Sequence, residues 1–183
     1  MTLKYNRIAI SGRIASGTTT LAQNLKESLG WKYVNAGQIQ RDFDRKHHIN
    51  ENAQGAVARS DKHEREIEAM TKKMLENEEN LIYEAWLAGF VAQNIKNVLK
   101  VLLVCSHEDI RIDRVANREN ISINEAKLRI IKREAENIKK WQKLYGQHDF
   151  WNQRYFNLVI DTYSSGPMET LGKVLDELGF RHK

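Results

Sequence analysis

The chain holds a single proline, Pro167, and a single cysteine, Cys105, and each scarcity excludes something. One cysteine cannot form an internal disulfide, so the stapled folds of small secreted domains are out and a reducing compartment is expected. Cys105 closes an apolar run and reads as an inert core residue. With no proline before position 167 and no Gly/Ser-rich tract, nothing marks a linker, a repeat or a low-complexity segment. Long hydrophobic runs are missing too. The stretches 81–83 and 98–105 fall far short of the roughly 20 residues that span a bilayer. Residues Met1 to Arg7 carry no apolar core of a secretory signal. These absences predict a cytoplasmic protein with no membrane partner, built as one domain of 183 residues; its oligomeric state is not read from them, a monomer being favoured.

Negative charge is the scarcer sign, with 24 acidic against 29 basic residues and a net charge of +5. Such a balance favours anionic partners without separating a nucleotide from a nucleic acid. The basic residues gather between Arg111 and Lys143, interleaved with Asp113, Glu119, Glu125, Glu134 and Glu136. That pattern fits either a solvated helical face or a cationic flap over phosphates.

What is present is an alternation of short β-rich runs with helical patterns, the mark of a parallel sheet covered by helices. Strands are expected at 7–11, 31–34, 80–84, 98–105 and 157–161. Helices are expected at 18–29, through 46 after Ala36-Gly37, and at 108–117, 123–144 and 168–178. Gly30 stands where a helix C-terminal cap would be. The polar stretch 50–79 reads as a helical insertion with a loop near 52–55. The whole predicts an α/β fold, a three-layer α/β/α sandwich around a five-stranded parallel sheet. Residues 1–35, 80–110 and 157–183 would form its core, 36–79 an acceptor-binding arm, and 111–145 a lid.

The most informative segment is Gly12-Arg13-Ile14-Ala15-Ser16-Gly17-Thr18-Thr19-Thr20, spaced G-x-x-x-x-G-x-T between a strand and an amphipathic helix. That context is the one a phosphate-binding P-loop requires. Its glycines let successive N–H groups curl inward, and the helix adds the positive end of its dipole. Thr19 falls where a hydroxyl holds Mg²⁺. The lysine that usually follows the second glycine is replaced by Thr18, so charge compensation must come from Mg²⁺ and from arginines elsewhere. The alternative is an ordinary tight βα turn.

This loop resembles that of the archaeal-type cytidylate kinases, whose glycine-rich loop ends in Gly-Thr-Thr-Thr. The likeness continues in order through Val34-Asn35-Ala36-Gly37-Gln38-Ile39 with Arg41, and through Leu81-Ile82-Tyr83-Glu84. It goes on with Arg118-Glu119-Asn120-Ile121, Arg133-Glu134-Ala135-Glu136 with Tyr145-Gly146, and Leu158-Val159-Ile160-Asp161-Thr162. The resemblance implies a P-loop NTPase-type kinase that moves the γ-phosphoryl group of ATP, with Mg²⁺, onto CMP or dCMP. It implies Gly37 and Arg41 at the acceptor phosphate and Arg133 in the lid. The chain departs from the family pattern at Ile14, Ala15, Asn137 and Lys140, and at Ala85-Trp86, where Gly-Arg is usual. Another small acceptor, or a nucleotide-binding protein with altered catalysis, therefore stays open.

Glu84 ends a buried strand, where a carboxylate is costly unless paired, and such strand ends line the ligand crevice of α/β sheets. It would face Mg²⁺ or the acceptor; capping the next helix is the alternative. Arg41 would clamp the acceptor phosphate with its two-pronged guanidinium, or pair with Asp42 or Asp44 on the surface. Arg118, Arg129 and Arg133 are the lid candidates for catalysis. Arg129 and Arg133, four apart, share a helical face. Asp161 would approach the nucleotide or cap a turn. The pair His47-His48 lacks the partners of a metal site, and His63 is isolated. The aromatic stretch Trp141, Tyr145, Trp151, Tyr155 and Phe156 offers a base-stacking platform or, alternatively, packing for the lid helix. Nucleic acid is not an expected partner.

Overall fold

A computed structural model of the chain describes residues 3–50 and 55–180. Five parallel strands form one sheet in the order β2-β3-β1-β4-β5, with β1 at Arg7–Gly12, β2 at Lys32–Asn35, β3 at Leu81–Glu84, β4 at Val98–Val104 and β5 at Leu158–Asp161. β1 is buried along its whole length between β3 and β4. Successive residues of β1 serve opposite faces, as the two-residue strand period requires. Ile8 and Ile10 pack with Leu21 and Leu25 of α1 (Thr18–Leu29) and with Val174 and Leu178 of α7 (Pro167–Leu178). Ala9 joins Tyr83, Leu75 and Ala88 on the other side, beneath α3 (Asp61–Asn77) and the short α4 (Ala88–Val91). Helices thus cover both faces, as the alternation predicts.

Local signals account for the ends of these elements. Gly30 adopts a left-handed conformation and donates its N–H to the Lys26 carbonyl, closing α1. Asn35 caps α2 (Ala36–Lys46) by accepting from the Gln38 amide at 2.9 Å. Ser60 and Ser122 do the same for α3 and for α6 (Ile123–Tyr145). Pro167 opens α7, where its missing N–H costs nothing. α5 (Glu108–Glu119) completes the set and packs with α6 around Ile112, Val115, Ala126 and Ile130.

Two details depart from the sequence reading. The helical turn Ala92–Asn94 after α4 is not read from the sequence, because its three residues give no period. In the insertion, α3 is preceded by the single turn Ala56–Ala58, while most of the loop placed at 52–55 lies outside the described residues. Strand order puts β1 where the chain first winds toward β3 and β2 and then crosses to β4 and β5. At such a switch point a crevice opens beyond the strand ends, and the glycine-rich turn leaves β1 there.

Candidate active site

The turn between β1 and α1 is open. Within it the Ser16 amide bonds the Arg13 carbonyl at 3.2 Å, and the Ile14 amide reaches Glu134 Oε1 at 3.3 Å. The amides of Gly17, Thr18 and Thr19 bond no acceptor among the described residues, and they stand at the positive end of α1. Two outside groups hold the turn in shape. Arg114 donates to the Ala15 carbonyl at 3.0 Å, and the Thr162 hydroxyl, just past β5, donates to the Ser16 carbonyl at 3.0 Å. Gly17 has φ 94°, and Ala15 has φ 59°. The left-handed backbone at Ala15 is one that glycine adopts freely; alanine tolerates it at a cost of about 1–2 kcal/mol. A Cβ on Gly12 would lie 2.2 Å from Ser16 Oγ, which is itself buried without a hydrogen-bond partner.

Thr18, Thr19 and Thr20 border a cavity of about 1050 Å³, at the upper end of the ~300–1,000 Å³ of small-molecule sites. Its lining also includes Arg41, Arg114, Arg118 and Arg133, with Tyr163 and Ser165 from the segment between β5 and α7. A smaller space of about 90 Å³ continues past Gly12, Arg13, Ile14, Gly37, Glu84 and Trp86, and Arg41, Arg118 and Arg133 line both. Burial pulls Arg133 below the usual arginine value; Glu119 opposes this, while Arg118, Arg41 and Arg59 reinforce it. Guanidinium groups crowded this way around one space are set up to receive an anion.

Glu84 is a hub for hydrogen bonds. Its Oε1 accepts from Thr18 Oγ1 and from Thr19 Oγ1, each at 2.7 Å. Its Oε2 accepts from Asn35 Nδ2 at 2.8 Å and from the Tyr33 hydroxyl. Parallel pairing of β2 with β3 sets Asn35 beside Glu84 and makes this possible. Burial and the neighbouring carboxylate push the Tyr33 phenol well up, so it stays a donor. With four donors in place the buried carboxylate is compensated, and it does not cap the following helix, as the alternative reading had it. Thr18, standing in the lysine position, spends its hydroxyl on Glu84. Tyr33 escaped the sequence reading because nothing in its own strand marks it; only strand order brings it to Glu84.

The remaining residues named from sequence divide cleanly. Arg41 bonds Gln38 Oε1 at 2.9 Å and faces the cavities, while Asp42 pairs with Arg45 and Asp44 with Arg59. The surface pairing weighed for Arg41 is therefore not formed. Arg118 pairs with Glu119 at 2.7 Å and also lines the cavities. Arg129 does not join them. Its guanidinium is tied to Glu119 at 3.1 Å and to Glu125, and it lines neither space. Arg13 is half exposed, pairs with Glu134 at 3.1 Å and lies 4.8 Å over the Trp151 ring. Asp161 accepts from the Ser106 and Tyr163 amides, the turn role weighed for it.

α6 is fastened at two places. Near its middle, Glu134 binds Arg13, the Ile14 amide and the buried Arg111, which itself donates to the Ile14 carbonyl at 2.8 Å. Farther on, Glu136 accepts from the Gly55 amide at 2.6 Å and Asn137 from the Ala56 amide. Lys140 donates to the Arg59 carbonyl at 2.7 Å, Lys143 reaches Asp61 at 2.7 Å, and Trp141 donates to Glu64 at 3.1 Å. A side chain on Gly55 would meet Glu136 Cβ at 2.7 Å, so this close approach needs glycine. Trp86 packs edge-on against Trp141 and tilted against Trp151, inside a cluster with Phe90, Phe150 and Tyr155. The aromatic stretch therefore serves packing. Asn137, Lys140 and Trp86, three of the departures seen in sequence, lie in this one contact between α6 and the rest of the chain.

His63 and His47 stack on the two faces of Phe43, at 3.7 and 3.9 Å between ring centres. Among the described residues no group of three or more His, Cys, Asp or Glu side chains is placed to hold a metal, and no helix is long and apolar enough to cross a membrane.

A family model described as the cytidylate kinase-like family matches residues 7–164. The chain belongs to that family. A relative from Thermococcus sibiricus named cytidylate kinase is 35% identical over 169 residues, covering 91% of this chain and 84% of its own. One of the same name from Pyrococcus abyssi is 35% identical over 161 residues, covering 87% and 86%. Among solved structures, a gluconokinase from Sinorhizobium meliloti 1021 superposes with a TM-score of 0.64 at 12% identity, over 97% of this chain and 94% of its own. That likeness speaks for the P-loop kinase fold alone.

Proposed function

We propose that the chain transfers the γ-phosphoryl group of ATP to a nucleoside monophosphate, with cytidylate as the acceptor. The observation that carries this reading is the set of unbonded amides at Gly17, Thr18 and Thr19, on a cavity also lined by four arginines, Arg41, Arg114, Arg118 and Arg133. Phosphoryl transfer asks for positioning and charge stabilisation rather than covalent help from the protein. The loop amides cradle the donor's polyphosphate. Arg41 holds the acceptor phosphate near Gly37, and Arg133 with Arg118 meets the group in transit. An oxygen of the acceptor phosphate forms the new bond to the γ-phosphorus, and the bond to the β–γ bridging oxygen breaks, leaving its electron pair on ADP. The acceptor phosphate is already a nucleophile, so no general base is needed.

The residues present fit a divalent cation. Thr19 commits its hydroxyl proton to Glu84 at 2.7 Å, which leaves its oxygen lone pairs free for a metal, with the fixed carboxylate behind it. Mg²⁺ held there by Thr19 and Glu84 would supply charge neutralisation to the donor's phosphates. The arginines that line the same cavity supply the charge that the missing lysine would bring.

Purified protein given Mg²⁺-ATP and a panel of monophosphates should release ADP fastest with CMP or dCMP. Turnover of a different small acceptor would move the chain to another kinase activity. Tight ATP binding with no acceptor turned over would make it a nucleotide-binding protein instead.

A further inference from the structure

Four arginines line the 90 Å³ space: Arg13, Arg41, Arg118 and Arg133. Three of them also line the larger cavity, so they stand where the two spaces meet; Arg13 lines the smaller space alone. A residue of the glycine-rich loop is thus turned away from the donor side, toward Gly37 and Arg41. Resting on the transferase reading above, we infer that the Arg13 side chain is a second ligand of the acceptor's phosphate, alongside Arg41.

Placement argues first. The Arg13 guanidinium lies 4.8 Å over the Trp151 ring, and Trp151 packs at 5.8 Å against Trp86, a wall of the same space. A cation over an indole face is held by the ring's negative face. Its Nη1 donates to Glu134 Oε2 at 3.1 Å, and among the described residues this is its one hydrogen bond. A guanidinium carries five N–H donors in a fixed fork, so a pair remains to grip two oxygens of one phosphate.

Charge argues second. Glu134 is shared between Arg13 and the buried Arg111, and one carboxylate cannot neutralise both. Glu119 is divided in the same way among Arg118, Arg129 and Arg133. Glu84 borders the space too, but its four donors already cover it. On the strand side the space meets Ala85 and Trp86, which bring no cation. The surplus of positive charge beside Gly37 therefore depends on the loop arginine, and a phosphate dianion matches it.

Calorimetric titration with CMP and with cytidine isolates the contribution of the phosphate. Arg13→Met should cut the CMP:cytidine affinity ratio at least tenfold while cytidine itself binds within twofold of native. In steady-state assays the same variant should lose at least thirtyfold in kcat/KM for CMP, with KM for ATP within threefold. Arg13→Lys, which keeps the charge without the fork, should fall between native and Arg13→Met. Arg13 is half exposed, so circular dichroism should report a folded variant. A CMP:cytidine ratio unchanged within twofold overturns the assignment, and so does CMP bound no tighter than cytidine by the native chain. Equal losses for ATP and CMP would make Arg13 a brace for the loop and overturn it as well. If the native chain turns over no monophosphate yet the ratio still falls in Arg13→Met, the transferase reading fails and the phosphate contact stands.

Discussion

Removing Glu134 should unseat the phosphate loop and destabilise the fold together. The Glu134 and Arg111 side chains are each about one-tenth exposed, at 11% and 10%. In Glu134→Ala the Arg111 guanidinium keeps the Ile14 carbonyl as partner but loses its counter-charge in a buried setting. Breaking one side of such a pair costs about 3–5 kcal/mol. The Arg13 pair adds only about 0–1 kcal/mol, since Arg13 is half in solvent. A domain of this size loses ~2–4 °C of Tm per kcal/mol, so the midpoint should fall by roughly 10 °C. Urea unfolding gives the free energy, and titration with ATP gives the second effect, a weaker complex because Ile14 and Arg13 are no longer held. Replacing both members with apolar residues, as in Arg111→Met with Glu134→Met, should recover most of the stability but not the ATP affinity. A loss below about 1 kcal/mol in Glu134→Ala would refute the reasoning, because the pair would then not be desolvated.

Further outcomes follow from the same geometry. Arg133→Ala should lower kcat by two to three orders of magnitude, about 3–4 kcal/mol of transition-state stabilisation, with ATP binding little changed. Arg129→Ala should stay within about threefold of native, near the ~0.3–0.5 kcal/mol of an exposed helical pair; equal losses in the two variants would contradict the separation of their side chains. Tyr33→Phe deprives Glu84 of one of four donors, so the half-saturating Mg²⁺ concentration in the kinase assay should rise several-fold; an unchanged value would show that Tyr33 does not position the carboxylate. Asp61 is held down at about 2, below its ordinary 3.8, by hydrogen bonds from Lys140 and Lys143. A depressed carboxylate stabilises above its unfolded value and loses that effect as protons return. The stability gap between the native chain and Asp61→Asn should therefore be constant above about pH 5 and close between about pH 4 and 2; a gap that widens on acidification would be the wrong sign.

What could be read from the sequence was local. The strand before Gly12, the cap at Gly30, the long helix to Tyr145 and the turn at Pro167 each declare themselves within a few residues. The P-loop was legible for the same reason, since its spacing and its helix are contiguous. The Glu84 hub was only half legible. A carboxylate at a strand end could be singled out, but the donors Tyr33 and Asn35 come from a strand whose neighbour is set by sheet order. Arg129 shows the limit of periodicity: spacing placed it on one face with Arg133, yet Glu119 and Glu125 draw its guanidinium away. Asn137 and Lys140 stood out in sequence only as departures from the family pattern; their partners, the Ala56 amide and the Arg59 carbonyl, lie some eighty positions away along the chain.

The 23 residues of α6 make a rod about 35 Å long. It is bolted to the glycine-rich loop through Glu134 and to the segment 55–61 through Glu136, Asn137, Lys140 and Lys143. A rod tied at both points would carry a displacement of one to the other. Hydrogen exchange at the loop after β1 and at the start of α3 should slow in step when either nucleotide is added, so that the first substrate to arrive prepares the seat of the second.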